Sequence, residues 1–199
     1  QEMTVELSRI DLKQFKKVLP YLPDVEGWLG GSAHYVDSEG QMMLSADVSL
    51  DHFVYEKSPL GNWAMNGVYL PGDNNTHHVD GFIMHNDKEI MFMNGIYQTD
   101  ETGKENITGE LELQHFPLWV INPFVPDGIV NFRGDIDGTL AMEGNPLKPV
   151  LNGGLQLDSV LMVMPDMSIG FRFDNKQVKM QDSKMVFDKF NIYTRGETP

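Results

Sequence analysis

Apolar and polar residues alternate along most of this chain, and the longest alternation runs from Val130 to Met142. A period of two places successive side chains on opposite faces of a strand. The polar parity of this stretch carries Asn, Arg, Asp and Thr. The apolar parity consists of Val130, Phe132, Gly134, Ile136, Gly138, Leu140 and Met142. The pattern therefore predicts one long strand with an apolar face and a polar face.

Shorter alternations of the same kind fill much of the remaining sequence. Their apolar parities include Leu44, Val48 and Leu50; Ile107, Leu111 and Leu113; and Leu155 and Leu157. Turn signals separate them, such as the Pro-Gly-Asp-Asn-Asn sequence at 71–75. Strands spaced by roughly 8 to 12 residues with regular turns are typical of antiparallel sheets. We therefore predict a mainly β fold.

Two short helices interrupt this pattern, at about 11–22 and about 117–125. In the first, Asp11 stands where an N-cap would, and Pro20 should end or kink the helix. Apolar residues recur on one helical stripe, at Leu12, Phe15, Leu19 and Leu22. The sequence thus predicts a helix followed by a long strand in two places.

The two helical segments belong to an internal repeat. At one constant offset, Pro20, Tyr21, Leu22, Pro23 and Asp24 match Pro123, Phe124, Val125, Pro126 and Asp127. The same offset pairs Phe15 with Leu118, Val18 with Ile121, and Gly31 with Gly134. We interpret 1–115 and 116–199 as two repeat units in one continuous structure, with these motifs in structural roles.

Composition limits the classes of partner. The net charge of -14 and a pI near 4.6 argue against nucleic acid and against electrostatic docking on anionic lipid. Cysteine is absent, which excludes disulfides and thiolate chemistry. No apolar run approaches the roughly 18 residues of a membrane helix. Since the chain begins at Gln1 in strand-like sequence, we expect it to be a piece of a longer protein whose anchor lies elsewhere.

Several polar clusters resemble catalytic or metal-binding sites, but a simpler interpretation is that they are solvated surface residues. Asp135 and Asp137 share the polar face of the long strand, where a solvated face is the simpler interpretation. His77 and His78 point to opposite faces of a strand and cannot easily share a metal, though His78 and Asp80 could. No nucleophile elbow or phosphate loop is present. We predict a non-enzymatic protein without metal or cofactor.

The stretch from Pro117 to Ser159 resembles the repeat of TamB, within the wider AsmA-like group. In that family a short helix ends in an Asn-Pro-aromatic-aliphatic-Pro motif, and long strands and a Gly- and Pro-containing turn follow. Here the turn carries Gly144, Pro149, Leu151 and Gly154. The similarity extends over about 116–193. The first copy departs from it, with Leu19 in the place of Asn122.

The resemblance implies a β-taco, a curved antiparallel sheet folded into an open trough with an apolar concave face. It also implies the periplasmic part of an inner-membrane-anchored envelope protein that conducts phospholipid or supports outer-membrane protein assembly. An outer-membrane barrel of the BamA/TamA type would be its partner. The residues we expect to line the trough and contact acyl chains are Leu44, Val48, Leu50, Ile107, Leu111, Leu113, Val130, Phe132, Ile136, Leu140, Met142, Leu155 and Leu157.

The residues alone leave three hypotheses open. Two apolar faces that splay apart would form a groove for acyl chains, in which each CH₂ kept from water contributes about 0.8 kcal/mol. Two faces that close on each other would form a sealed β core, whose strand edges can pair with partner strands. A carbohydrate-active enzyme would require clustered carboxylates in a cleft.

Overall fold

The computed structural model describes residues 1–127 and 129–194, which form thirteen strands, one α-helix and two 3-10 helices. In chain order the elements are β1 (Glu2–Asp11), α1 (Lys13–Val18), β2 (Val25–Ser38), β3 (Gln41–Tyr55), β4 (Ser58–Pro71), β5 (Thr76–His85), β6 (Lys88–Thr99), β7 (Glu105–Pro117), η1 (Leu118–Phe124), β8 (Asn131–Asn145), β9 (Lys148–Met164), η2 (Pro165–Met167), β10 (Ile169–Phe173), β11 (Gln177–Gln181), β12 (Lys184–Val186) and β13 (Ile192–Thr194).

The strands follow one another in the sheet in the order of the chain from β1 to β10, and β13 comes after β10. The strand β11 pairs with β9 and with β12. Because the order starts at β1 and ends at β13, the sheet is open. The prediction of a mainly β, antiparallel fold is confirmed. Within the described residues, no helix is long and apolar enough to cross a membrane.

The chain divides into two compact units. Unit 1 comprises Gln1–Gly109 with Glu143–Pro149, and unit 2 comprises Glu110–Met142 with Val150–Pro199. The interpretation of 1–115 and 116–199 as two repeat units stays a prediction.

Unit 1 is built on an antiparallel meander of β1 to β6. The register is regular over long stretches, for example from Leu29 to Ser38 on β2 against β3. Among its described residues, the buried hydrophobic ones are Leu60 and Ile90. The helix α1 contributes no buried residue. Unit 1 is therefore a sheet with a very small core.

Unit 2 has a larger core. The strand β9 pairs with β11 through Gly153–Gln156 and with β10 through Leu161–Met164. Between these two halves, Ser159 has a positive φ of 53°, which breaks the ladder without ending the strand. Leu157, Val160 and Val178 form the buried cluster, and Leu118, Ile136, Phe173 and Phe190 pack against it. These apolar residues of unit 2 thus form a packed interior.

The break at Ser159 explains one difference from the sequence prediction. Val150 to Leu157 and Val160 to Met164 read as two strands, whereas the structure has the single strand β9. Opposite the break, Gly134 has a φ of +93°, and a Cβ there would lie 2.5 Å from the Ser159 carbonyl oxygen. Only glycine leaves the backbones room to approach this closely at that φ. The close approach keeps β9 in the sheet.

The two predicted helices are both present but shorter or tighter than expected. The helix α1 begins at Lys13 after Leu12, so the prediction of Asp11 as N-cap is wrong by one residue. Asp11 nevertheless accepts a hydrogen bond from the Lys13 backbone N–H at 3.0 Å. The helix ends at Val18 because Pro20 follows. In the second copy η1 is a 3-10 helix that contains Pro123.

The Asn-Pro-Phe sequence of the second copy has a clear structural role. The Asn122 side chain donates to the Phe132 carbonyl oxygen at 2.9 Å and accepts from the Phe132 backbone N–H at 2.7 Å. Its amide therefore satisfies both backbone groups at the start of β8, as a neighbouring strand would. In the first copy Leu19 cannot do this, and the Lys16–Asp24 ion pair lies there instead.

Replacing Asn122 with Ala should lower the free energy of unfolding by about 1–3 kcal/mol, because the half-buried Phe132 backbone loses both partners. Urea unfolding followed by circular dichroism measures this. Asn131→Ala, at the exposed start of β8, is the control and should change stability by less than about 0.5 kcal/mol. Equal losses in the two variants would contradict the assigned role of Asn122.

Candidate functional site

Unit 1 presents a continuous apolar surface on one face of its sheet, which we call the apolar face. Cross-strand pairs of β1 to β5 place residues of the same parity in four rows. Read from β1 to β5, the rows are Met3, Tyr35, Leu44, Tyr69 and Val79; Val5, Ala33, Ala46, Gly67 and Gly81; Leu7, Gly31, Val48, Met65 and Ile83; and Ile10, Leu29, Leu50, Trp63 and His85. No Asp, Glu, Lys or Arg stands in any row.

The apolar face remains accessible to water. On the inner strands, Met65 is 49% exposed, Leu44 is 40% exposed and Val79 is 37% exposed. Residues at these positions in a two-layer sheet would be covered by the second layer. On β6, Met91, Met93 and Gly95 continue three of the rows, and the exposed Lys88 stands opposite His85 at the end of the fourth. The face is thus apolar, several strands wide and open.

The opposite parity of the same strands carries charged and polar residues together with apolar ones such as Met43, Phe82 and Met84. It carries, for example, Glu6, Ser32, Asp47 and Asn66 along one row. These side chains take part in lining a groove of about 510 Å³ that crosses β1 to β5. The Asn66 amide donates to the Asp47 carboxylate. This parity is a solvated surface, and the contrast makes the sheet of unit 1 amphipathic.

One end of the apolar face, which we call the closed end, lies where β3 turns into β4 and β5 turns into β6. The buried residues Leu60, His85 and Ile90 lie there. His85 Nε2 is 2.8 Å from the Leu60 carbonyl oxygen, and Trp63 Nε1 donates to the same oxygen at 3.0 Å. The Trp63 and His85 rings lie 4.6 Å apart. Trp63 Nε1 and His85 Nε2 are therefore both paired with the Leu60 carbonyl oxygen.

The other end, which we call the tyrosine end, lies near the turns from β4 to β5 and from β6 to β7. The Tyr69 hydroxyl and His77 Nδ1 are 2.7 Å apart, and the two rings stack at 5.8 Å. The Tyr97 ring lies 5.7 Å from the His77 ring. These half-buried aromatic residues have an apolar ring and a polar tip, the type of side chain found between apolar and aqueous surroundings.

The structure separates the predicted lining residues into different environments. In unit 1, Leu44, Val48 and Leu50 lie together on the apolar face, and Ile107 is half-buried on β7. In unit 2, Leu111, Val130, Phe132 and Ile136 are half-buried. The fully buried ones are Leu113, Leu140, Met142, Leu155 and Leu157. Of the predicted set, Leu44, Val48 and Leu50 therefore lie on the open face of unit 1.

Sequence reasoning missed several residues of the apolar face. Trp63, Met65 and Tyr69 share one parity of β4, and Ile83 follows on β5. The signal was present, because Trp63, Met65, Gly67 and Tyr69 alternate with polar or smaller residues. The alternation of β1, with Met3, Val5 and Leu7, gives the outer edge of the same face.

Three of the candidate chemical groups, Asp137, His77 and His85, take part in local contacts. Asp137 accepts from the His115 backbone N–H at 2.8 Å and lies 3.3 Å from His115 Nδ1. His77 and His85 are engaged at opposite ends of the apolar face. Within 1–127 and 129–194, no group of three His, Cys, Asp or Glu residues is placed to hold a metal ion.

Two carboxylates have perturbed acidity for local structural reasons. The pKa of Asp100 is lowered chiefly because the Thr102 hydroxyl donates to it, and the Lys104 backbone N–H adds to the effect. The pKa of Asp174 is lowered chiefly because the Asn191 backbone N–H donates to it at 2.8 Å. Because the pKa of each carboxylate is lower in the folded protein than in the unfolded chain, its interactions stabilise the fold at pH values above the ordinary pKa. This stabilisation is lost as the pH falls through the pKa of the folded state. Both groups maintain turns.

Comparison of the chain with family models, with curated proteins and with solved structures finds no match in any of the three. Its function is therefore inferred from the geometry of the two units and from the sequence motifs.

Proposed function

We propose that this chain is a non-enzymatic part of a TamB-like envelope protein and that the apolar face of unit 1 shields phospholipid acyl chains from water. The observation that carries the proposal is the open apolar face, whose rows carry no charge from β1 to β5, with Met65 half exposed at its centre. In this proposal the sheet forms part of a trough that conducts phospholipid between the inner and outer membranes, supports outer-membrane protein assembly, or does both. The parent protein would be anchored in the inner membrane and work with a barrel of the BamA/TamA type.

The size of the apolar face supports an acyl chain as its occupant. From Leu44 to Leu50 the rows extend over six residue-to-residue steps, or about 20 Å at about 3.3 Å per step. One leaflet of a bilayer has a hydrocarbon thickness of about 15 Å, half of the roughly 30 Å core. A single acyl chain can therefore lie along a strand without leaving the apolar rows.

The side chains of the face also suit a ligand of variable shape. Met3, Met65, Met91 and Met93 are flexible and polarizable, so they can adapt to chains of different length and saturation. The glycines at 31, 67, 81 and 95 leave shallow places between them. A chain that covers these residues would remove apolar surface of both partners from water, which is the main favourable term in such binding.

Unit 2 favours a second candidate function for its own part of the chain. Leu140, Leu157 and Val178 are buried, which supports a structural or interaction module with a closed core in unit 2. Its strand β12 is exposed along its length, with Met185 49% exposed. An exposed strand of this kind can pair with an extended partner segment. Unit 2 would then dock a partner strand while unit 1 shields lipid.

The proposal is tested by native mass spectrometry of protein purified gently from a lipid-containing host, followed by titration of delipidated protein with phospholipid. We expect copurified phospholipid and rebinding at micromolar lipid. A chain that carries no lipid and rebinds none at micromolar concentration would contradict the proposal.

A further inference from the structure

Unit 2 carries a groove on the exposed parity of β11, which we call the lysine groove. On β11 the buried Val178 lies between Gln177 and Lys179, which are exposed, so these two side chains point away from the core. The groove has a volume of about 720 Å³. Its lining residues all belong to unit 2 and are Gly153, Gly154, Gln177, Lys179, Gln181, Val186, Phe187 and Asp188. The lysine groove is therefore distinct from the apolar face of unit 1.

The cross-strand pairs around Lys179 contain no acidic residue. Lys184 is the diagonal neighbour of Lys179 on the same face, at the roughly 7–8 Å typical of such neighbours. Neither lysine forms an ion pair with a described residue. Asp188 is the single carboxylate among the lining residues. The pairs on this face are Lys179 with Gly154 and with Val186, Gln177 with Gln156, and Gln181 with Lys184.

The polar side chains of the lysine groove offer several hydrogen-bond donors. A lysine ammonium has three N–H donors and no acceptor, and each glutamine amide adds two donors. The Gln177 amide lies over Gly154, where a Cβ would be only 2.5 Å from Gln177 Nε2. Glycine at 154 therefore leaves room for this amide on the β9 side of Lys179. Charge and donors together match an anion with several oxygens, such as a phosphate.

The hairpin that carries the lysines is fixed to β9 at its tip. The Ser183 backbone N–H donates to the Leu151 carbonyl oxygen at 2.9 Å, and the Ser183 hydroxyl accepts from the Leu151 backbone N–H at 3.0 Å. The Asp182 backbone N–H donates to the Asn152 side chain at 2.9 Å. The backbone of β11 and β12 is thus held in place without a ligand, which lowers the entropic cost of binding one.

We infer that the lysine groove binds the phosphate of a phospholipid head, with Lys179 as its main charge partner. This inference rests on the proposed function and adds a second lipid contact, in unit 2. Val186 and Phe187 are 41% and 43% exposed and give the groove an apolar wall. This wall suits the ester region and the first carbons of an acyl chain, which a phosphate ion lacks. It therefore favours a phospholipid over inorganic phosphate as the occupant.

The site can be observed through its lysines. Reductive methylation with ¹³C-formaldehyde labels lysine side chains and keeps their positive charge, and Lys179→Arg identifies the Lys179 signal by its loss. Delipidated protein is titrated with dihexanoyl phosphatidylglycerol, with the phosphate-free dihexanoylglycerol and with inorganic phosphate. We expect the Lys179 and Lys184 signals to shift with the phospholipid and not with dihexanoylglycerol. Inorganic phosphate should require at least about tenfold higher concentration, because it makes no apolar contacts.

A charge-removing variant measures the contribution of Lys179. Lys179→Gln should weaken phospholipid binding, followed through the Lys184 signal, by at least about fivefold, because a charge-assisted hydrogen bond is lost. Lys148→Gln is the matched control, since Lys148 is an exposed lysine of β9 outside the groove. It should change the affinity by less than about twofold, because salt screens an exposed charge that does not contact the ligand. Circular dichroism checks that both variants are folded.

The outcomes separate this inference from the proposed function. Copurified lipid in native mass spectra with an unshifted Lys179 signal, equal shifts of Lys148 and Lys179, or unchanged affinity in Lys179→Gln would overturn the lipid site in the groove and leave the proposed function standing. Inorganic phosphate that binds as tightly as the phospholipid would overturn the assignment to a lipid. Absence of lipid from native mass spectra, together with no response of any lysine to phospholipid, would overturn both proposals.

Discussion

Replacing Met65 with Asp should weaken phospholipid binding by at least about tenfold, or about 1.4 kcal/mol, while the protein stays folded. Met65 lies at the centre of the apolar face and is 49% exposed, so a carboxylate there remains hydrated in the lipid-free protein. Once an acyl chain covers that position, the charge loses its water and has no partner, which is costly. The effect is measured by titrating delipidated variants with phospholipid, and by urea unfolding for stability.

Met43→Asp is the matched control for this prediction. It makes the same chemical change on the neighbouring strand β3, where Met43 pairs with Val36 on the opposite parity and is 37% exposed. It should leave lipid binding within about twofold, because the polar parity does not contact the acyl chain. If Met43→Asp and Met65→Asp weaken binding equally, general negative charge and not the apolar face is responsible.

Replacing Leu140 with Asp should unfold unit 2 or destabilise it by about 4 kcal/mol or more, since it places an unpaired charge in a packed interior. Leu140 is 4% exposed, in contrast to Met65. The neighbouring exposed residue gives the control: Thr139→Asp adds the same charge to the opposite face of β8 and should cost less than about 0.5 kcal/mol. Urea unfolding of the two variants measures the difference. A folded Leu140→Asp variant with near-normal stability would show that this face of β8 is open.

The contrast between Met65 and Leu140 shows what could be predicted from the sequence. Alternation identified which residues share a face in both units, because side-chain direction in a strand depends only on parity. It could not identify which face would be covered. Leu44 and Leu140 belong to similar alternating patterns, yet one is 40% exposed and the other is buried. Whether a face of a strand is buried depends on which residues pack against it in the tertiary structure, and alternation along one strand does not determine this.

The second copy illustrates the tertiary cause. There Asn122 joins η1 to the start of β8, Val120 is buried, and Leu118 packs against the core of Leu157 and Val178. In the first copy α1 buries no residue, and Leu19 replaces the amide. The sequence predicted the repeat and contains this substitution. It did not show that the helix with the Asn122 amide, η1, would pack against the core while α1, which lacks that amide, would stay exposed.

The irregular backbone of β9 at Ser159 is the other feature that the sequence alone could not predict. Ser159 lies between two stretches that the sequence predicts as separate strands, and it has a positive φ. The strand nevertheless continues, because Gly134 allows close approach and the Asn175 side chain accepts a hydrogen bond from the Ser159 backbone N–H at 2.8 Å. Those partners come from β8 and from the segment between β10 and β11. Local composition alone does not contain that information.

The most direct test of the central claim uses the methionines as reporters. The chain has 13 Met, and spectra of protein labelled with ¹³C at the methionine methyl groups resolve faces of the sheet without further substitution. On addition of phospholipid, we predict shifts and lipid contacts for Met65 and Met93 on the apolar face, with Met43 and the buried Met142 unchanged. Responses confined to Met43, or spread equally over all exposed methionines, would contradict the claim that the open face of unit 1 binds acyl chains.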